Sequence, residues 1–367
     1  MSEFIQLHML VSYPPSNLNR DDLGRPKTAM MGGAQRLRVS SQSLKRAWRT
    51  SDIFAGALAG HLGIRTKEMG TLVYRSLASG VSLLEIVQGT RDAPATFKPV
   101  PEEKARKWAS GIAGIFGKLK PGDDALEIEQ LAHFSPEEIA AIDALVAKLA
   151  ATGKDPGEDD KKLLMERHTA ADIAMFGRML AASPIYNTEA AVQVSHAVTV
   201  HTVAVEDDYF TAVDDLNRGE EDLGAGHLGE TEFASGLFYL YVCVNRDLLR
   251  DNLGGDEALT AASLRALVEA ATKVAPTGKQ NSFASRAYAS YLLAERGCQQ
   301  PRSLSVAYLK PLQDADLLGS AIRVLKETRD KMDAVYGKCS DTCCDMNAHA
   351  GEGTLQGVLD FVADHHA

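Results

Sequence analysis

The apolar positions of the chain form a few short dense runs and one long region of helical periodicity. The runs Phe4–Val11 and Phe233–Asn245 have strand length. The first run is apolar at nearly every position, which is typical of a strand buried on both faces. The β-branched residues of Val192–Val205 also favour a strand, and further strands are expected at 175–182 and 304–309.

Helical periodicity dominates 53–178, which is rich in Ala, Leu, Glu and Lys and is interrupted by loops at 89–101, 117–124 and 151–160. Four more helices are expected, the first of them with Ser40 or Ser41 as its N-cap, at 41–51, 263–274, 315–336 and 354–364. The order of these elements predicts an α+β fold, an antiparallel sheet with helices on one face. A loop rich in Pro, Gly and Asn is expected at 12–36, and loops of this length are usually functional or disordered.

The composition is that of a globular protein. The chain has 367 residues, of which 45% are hydrophobic and 24% charged. It contains neither the roughly eighteen uninterrupted apolar residues of a membrane span nor a secretory signal, so we expect a cytoplasmic protein without a membrane partner. The five cysteines are an odd number and favour reduced thiols over a disulfide framework.

Charge is unevenly distributed along the chain. The net charge of −10 argues against a protein that coats nucleic acid through its overall field. Residues 1–50 nevertheless carry eight basic and three acidic groups, whereas 206–232 carry ten acids and one base. Opposite poles of this kind allow copies of one chain to stack on each other.

The sequence offers little catalytic or cofactor chemistry. The string Gly224–Gly229 matches G-x-G-x-x-G but lacks the preceding strand and following helix of a dinucleotide site, which favours a hairpin tip. Zinc binding is a minor alternative to free thiols for the cluster Cys339, Cys343, Cys344 and His349, which lacks paired C-x2-C knuckles. His196 and His201 lie five apart on an expected strand and would face opposite sides. We therefore expect no metal, no cofactor and no active site.

The first predicted helix has a residue pattern that indicates a binding surface. At about 100° per residue, the first helix places three cations and an amide on one narrow face, Gln42, Lys45, Arg46 and Arg49, with Leu44, Ala47, Trp48 and Ser51 opposite. No acid at i+4 pairs with these cations, and the preceding loop adds Arg20, Lys27 and Arg38. A solvated surface is the alternative, but the pattern favours a phosphate-binding face.

Motifs in this region and beyond resemble a known family. Matching segments occur in the same order along most of the chain: SNLNRDD (16–22), GG (32–33), RVSSQSLKRAWR (38–49), FGRM (176–179), SHAVTVH (195–201), YFTAVDDL (209–216), GHLGETEFASGLFY (226–239), NLGG (252–255) and GKQ (278–280). They are similar to CasC, the repeated backbone subunit of the type I-E CRISPR surveillance complex Cascade. The segments 53–170 and 337–353 depart from this resemblance.

The resemblance implies an RRM-like (ferredoxin-like) palm, a helical finger and a β-hairpin thumb. On this basis the expected division is palm 1–52, finger 53–178, palm strands 179–205, acidic thumb 206–232, and the rest of the palm with C-terminal helices 233–367. It also implies a scaffold without nuclease activity in antiviral defence. Its copies would stack head to tail on one crRNA beside other Cascade subunits, and the guide would pair with target DNA.

The resemblance also implies roles for individual residues. Guide-RNA contacts would fall on Arg20, Lys27, Arg38, Ser40, Gln42, Lys45, Arg49, Lys279 and Gln280, and the cationic helix face adds Arg46. Each thumb would displace one guide base at a regular spacing, and the residues inserted around that base would be Met179, Phe210, Thr211 and Leu228. Sequence-independent phosphate contacts and apolar wedges both suit a protein that must hold any guide.

An enzyme is the rival hypothesis. A repeat-RNA endoribonuclease on a related RRM-like fold could use His8, His196 or His201 as the acid or base. The two hypotheses differ in whether bound repeat RNA stays intact.

Overall fold

The structure is a computed structural model that describes residues 2–122, 126–181, 183–212 and 227–364. The chain divides into two compact units. The first unit comprises 1–57, 193–246 and 261–367, and the second comprises 58–192 and 247–260. The helical segment expected at 53–178 supplies most of the second unit.

A sheet of nine strands, counted within the described residues, organises the first unit. Its strands are β1 (Phe4–Ser16), β2 (Thr28–Met31), β3 (Ala34–Val39), β6 (Val192–Val194), β7 (Ala197–Thr199), β8 (Glu206–Ala212), β9 (His227–Asn245), β10 (Ala289–Gly297) and β11 (Thr342–Asn347). The main order is β11-β10-β1-β9-β7-β3-β2, with β6 and β8 also paired to β9. All neighbours in the main order are antiparallel, as are β8 and β9, so the expectation of a mixed fold of helices with an antiparallel sheet is confirmed.

The helices are α1 (Ser41–Arg49), α2 (Asp52–Ala57), α3 (Met69–Ser79), α4 (Leu83–Gln88), α5 (Glu102–Phe116), α6 (Pro136–Thr152), α7 (Ala171–Phe176), α8 (Arg246–Asn252), α9 (Glu257–Lys273), α10 (Gln280–Phe283), α11 (Leu317–Tyr336) and α12 (Leu355–Ala363). Short 3₁₀ turns occur at 159–161, 184–186 and 305–308. The four predicted helices are present, with boundaries shifted by up to six residues. They are α1 (predicted at 41–51), α9 (263–274), α11 (315–336) and α12 (354–364).

Strand β1 is buried on both faces, as its uninterrupted apolar run predicts. Leu10 packs in a cluster with Leu325 of α11 on one face. On the other face, Ile5 lies opposite Arg296, which donates to the Phe361 carbonyl of α12 at 2.9 Å. The expectation that helices cover one face only is therefore wrong, because an apolar strand of this kind requires cover on both sides.

The second unit has its own apolar core, which includes Trp108, Phe116 and Phe134, and a short ladder of β4 (Ile64–Thr66) with β5 (Ala132–Phe134). Within it, Arg178 is buried and donates to both carboxylate oxygens of Glu138, at 2.9 and 2.7 Å. The same guanidinium also donates to the carbonyls of residues 133, 165 and 186. Arg178 of the FGRM motif thus has a structural role in this unit.

Several strand predictions are wrong in detail. Residues 175–181 hold the end of α7 and a turn, residue 182 lies outside the described residues, and 304–309 hold a 3₁₀ turn in which Tyr308 is buried. The expected loop 12–36 contains the end of β1 and the β2–β3 hairpin, since the turn residues Gly32 and Gly33 only reverse the chain. Val192–Val205 forms two short strands, β6 and β7. The sequence pattern predicts neither β10 nor β11.

Candidate nucleic-acid interface

Helix α1 has the orientation that its periodicity predicts. The Ser40 hydroxyl accepts a hydrogen bond from the Ser43 amide and so caps the helix, and the Ser40 amide donates to Asn19 Oδ1 at 2.9 Å. Leu44, Ala47 and Trp48 are buried. This packing fixes the opposite face outward, where Gln42 and Arg46 are exposed and Lys45 and Arg49 are half-buried.

Lys45 is a partly desolvated cation. Burial lowers the pKa of its ammonium group. A phosphate placed beside such a group meets a charge that has already lost part of its water, which strengthens the attraction. Lys45 is therefore well suited to bind an anion on this face.

A cleft of about 510 Å³ adjoins α1. Its walls come from the loop 18–24, from α1 and from Thr277–Gly278, and they include the cations Arg20 and Arg46. Asp21 also lines the cleft, but its carboxylate accepts from the amides of Leu23 and Arg25 and pairs with the Arg25 guanidinium. These bonds, the Arg25 amide first, lower the pKa of Asp21. Asp21 thus serves the loop turn.

Lys27 and Arg38 form a second pair of cations, which we call the Lys27–Arg38 pair. Lys27 directly precedes β2, and the Arg38 amide of β3 donates to the Lys27 carbonyl at 2.8 Å. The Arg38 guanidinium donates to Nδ1 of His196 at 2.8 Å. Burial, followed by the charges of Arg38 and Lys27, lowers the pKa of His196. His196 is therefore a neutral acceptor that orients Arg38.

Arg36 does not belong to this surface. Its side chain is fully buried and donates to the carbonyls of Thr199 at 2.8 Å and Tyr308 at 3.0 Å. Strand alternation places Arg36 and Arg38 on the same side of β3. They differ because the 3₁₀ turn at 305–308 lies against Arg36 and accepts its hydrogen bond, whereas Arg38 bonds to His196. The basic surface is smaller than the residue count of 1–50 implies.

The GKQ turn at 278–280 lies against the same loop. A side chain at Gly278 would collide with the carbonyl oxygens of Leu18 and Asn17, at 2.3 and 2.8 Å from the added Cβ. The backbone of Lys279 is in the left-handed region, with φ at 44°, and its ammonium group donates to the Thr231 hydroxyl. Gln280 accepts from the Ser285 hydroxyl at 3.1 Å. The turn thus connects the basic loop to β9.

Strands β8 and β9 form the hairpin expected at 206–232. Its base is fixed by Lys279 and by Asn17, which donates to the Glu232 carbonyl at 2.9 Å. The Phe210 ring covers Gly229, where an added Cβ would lie 2.3 Å from the ring. Phe210 and Thr211 are exposed. The hairpin tip, 213–226, lies outside the described residues.

The other two residues expected to displace a base are Leu228 and Met179. The Leu228 backbone pairs with Thr211, but its side chain lies outside the described part of the structure. Met179 belongs to the second unit and is 80% exposed. The structure therefore brings the predicted contact residues Arg20 and Arg46 together at the cleft beside α1, whereas the four residues predicted to displace a base are distributed over two units.

The three histidines of the rival hypothesis lie in different environments. His8 is fully buried between the Tyr239 hydroxyl at 2.9 Å and Glu295 at 3.1 Å. Burial would raise the pKa of Glu295, but hydrogen bonds from His8 and Arg302 outweigh it and hold this pKa at about 2. His201 accepts from the Leu237 amide at 3.1 Å. None of these partners is shared with His196.

The cysteines of the described chain are free thiols. Within the described ranges, no group of three or more His, Cys, Asp or Glu side chains could hold a metal ion. In the same ranges, no helix is long and apolar enough to cross a bilayer.

We expect the triple variant Cys339→Ser, Cys343→Ser, Cys344→Ser to bind RNA with unchanged affinity. Cys343 is exposed, and Cys339 makes two weak contacts, to Gln6 and the Gln300 carbonyl, that a hydroxyl can replace. Affinity and zinc content are measured for both proteins. Stoichiometric zinc that disappears in the variant together with thermal stability would contradict this expectation.

The sequence and the fold of this chain are similar to those of known proteins. The chain belongs to the CT1975-like protein family, whose model matches residues 5–359. It is similar to a chain of a CRISPR RNA-guided surveillance complex, pre-nicking, with 27% identity, a TM-score of 0.78, and 98% and 99% of the two chains covered. A chain of another CRISPR RNA-guided surveillance complex shares the fold at 23% identity, a TM-score of 0.58, and 98% coverage of both. No curated protein matches.

Proposed function

We propose that this chain is a non-catalytic, crRNA-binding backbone subunit of a type I-E Cascade-like surveillance complex in the cytoplasm. The observation that carries the proposal is the α1 face with its adjoining cleft, where Lys45, Arg46 and Arg20 present cations on a folded scaffold. Membership of the CT1975-like family and the 27% identity to a surveillance-complex chain support the same function.

Phosphate contacts of this kind suit a guide of any sequence. Cations on a helix face bind the backbone and do not read bases, so affinity depends on salt and hardly on sequence. The first unit would correspond to an RRM-like palm, the second to the helical finger, and the β8–β9 hairpin to the thumb. In this arrangement several copies stack head to tail on one guide beside other Cascade subunits, and the guide pairs with target DNA in antiviral defence.

The lack of catalysis is part of the proposal. His8 is fully buried and has two protein partners, so it is remote from any bound strand. His196 orients Arg38, and His201 bonds a backbone amide. An endoribonuclease would need both an acid and a base near one phosphate. His196 is exposed beside Arg38, but His8 is buried and His201 has a different partner, and this arrangement favours a scaffold.

The test is to incubate the purified protein with repeat-containing crRNA. We expect shifted but intact RNA on gels, and helical filaments in electron micrographs of protein co-expressed with crRNA. A discrete cut that depends on His196 or His201 would establish the endoribonuclease instead. A protein that leaves the RNA unshifted at low salt would overturn the proposal.

The hairpin should govern guide geometry more than affinity. The hairpin segment is acidic and repels phosphate. The Phe210 ring, held over Gly229, can stack between bases and contribute about 1–3 kcal/mol of binding free energy. We expect Phe210→Ala to weaken binding modestly and to remove the periodic, hyper-reactive guide bases that chemical probing detects in the wild-type assembly.

Phe210→Tyr is the matched control, because it keeps the ring over Gly229 and should retain the periodic pattern. If Phe210→Ala and Phe210→Tyr both gave the wild-type pattern, other residues would displace the base.

A further inference from the structure

A small cavity lies in the first unit on the side of the sheet that α11 covers. Its volume is about 220 Å³, and Val198, Tyr239 and Tyr308 contribute to its walls. Val198 lies opposite Tyr239, and Tyr239 lies opposite Leu10, whose side chain packs against Leu325 of α11. A cavity of this size is below the usual range for drug-sized ligands and suits one planar ring system.

The walls combine apolar sides with hydrogen-bond donors. Met31 and Val198 supply apolar surface. The Ser195 hydroxyl oxygen accepts from the Tyr241 amide at 3.0 Å, which leaves its proton available to a ligand. His196 accepts from Arg38 through Nδ1, so the neutral ring carries its proton on Nε2. Apolar faces with donors at the edge are what a nucleobase requires.

The cavity shares a residue with the Lys27–Arg38 pair. His196 lines the cavity and also holds the Arg38 guanidinium. Arg38 is paired with Val198 across β3 and β7, so the cation and the apolar wall belong to adjacent strands. A strand whose phosphate contacts Arg38 therefore has its attached base next to the cavity mouth.

We propose that this cavity binds one unstacked nucleobase of the RNA whose phosphate the Lys27–Arg38 pair holds. The proposal rests on the proposed function, because it requires bound RNA. It adds a receiving site for a single base, on the palm and separate from the residues that displace it. The burial of that base replaces part of the stacking that the strand loses.

The experiment uses the full chain with single-stranded guide RNA in which 4-thiouridine replaces one nucleotide at a time. We expect one position per protein footprint to photocrosslink to Met31, His196 or Tyr308, as mapped by mass spectrometry. Val198→Phe and Ser305→Phe fill the cavity from two different walls. Each should abolish the crosslink and lower RNA affinity about five-fold or more, the value of one base contact.

Two controls keep the outcome specific. Val306→Phe, at a half-exposed neighbour outside the cavity wall, should leave the crosslink and the affinity unchanged. An RNA with an abasic site at the crosslinking position should bind the wild-type and filled proteins equally. RNA that binds normally but gives neither the crosslink nor a difference for the filled variants would overturn the cavity proposal alone.

A side chain from a second copy is the other possible occupant. In that case Val198→Phe and Ser305→Phe would shorten assemblies on RNA without any base crosslink, and the proposal would be wrong. Failure of the wild-type protein to bind RNA would instead overturn the proposed function.

Discussion

Lys45→Glu combined with Arg49→Glu is expected to lower the affinity for RNA by about a hundred-fold or more near 0.1 M salt. Both residues lie on the half-exposed side of α1, opposite the buried Leu44 and Trp48. The reversal replaces two attractions for phosphate by two repulsions, one of them at a partly desolvated site. The slope of log affinity against log salt should fall by about 0.7 for each phosphate that the variant no longer neutralises.

A second variant tests whether loss of RNA binding comes from loss of the fold. Gln42→Glu with Arg46→Glu changes the exposed positions of the same face and should also weaken binding severely. Arg323→Glu with Lys331→Glu is the matched control, because it reverses two exposed cations on α11. Circular dichroism checks the fold of each protein. Wild-type affinity and salt slope in both α1 variants would remove α1 from the interface.

Arg178→Ala is expected to destabilise the second unit by about 3–5 kcal/mol. The side chain is 1% exposed, and its loss leaves the fully buried Glu138 carboxylate without its cation. Unfolding in urea is followed by the fluorescence of Trp108, which lies in the core of this unit. The chain has two tryptophans, so a Trp48→Phe background isolates that signal.

Lys118→Ala is the matched control in the same unit. Its ion pair with Glu129 is similarly short, at 2.7 Å, but the lysine is 81% exposed, so a loss of at most about 0.5 kcal/mol is expected. Arg178→Met with Glu138→Gln removes both charges and should recover part of the stability. Equal losses for Arg178→Ala and Lys118→Ala would mean that the buried pair contributes nothing.

Elements with a local signal were predictable from sequence. Helix α1 combines an N-cap with a 3.6-residue period, and β1 and β9 are continuous apolar runs. Strand β10 escaped prediction because its end carries Glu295 and Arg296, a polar pattern that is untypical of a buried strand. The structure buries both, Glu295 with His8 and Arg302, and Arg296 with Glu3.

Features assembled from distant segments were not predictable. Strand β11 has little apolar content and is defined by its pairing with β10. The role of His196 depends on Arg38, which lies 158 residues away. The cavity that His196 lines has walls from β2, β7, β9 and the turn at 305–308. No residue spacing within any one of these segments predicts a cavity.

Strand β9 is 19 residues long and belongs both to the central sheet and to the hairpin. At about 3.3 Å per residue it spans about 60 Å, so the number of residues in the strand sets how far the hairpin extends from the sheet. One residue inserted into each of β8 and β9 between the sheet and the Phe210–Gly229 pair would turn Phe210 to the opposite face. Two residues inserted into each strand would preserve the faces and extend the reach by about 7 Å. A change in hairpin length that keeps Phe210 on its present face must therefore add or remove residues of each strand in pairs.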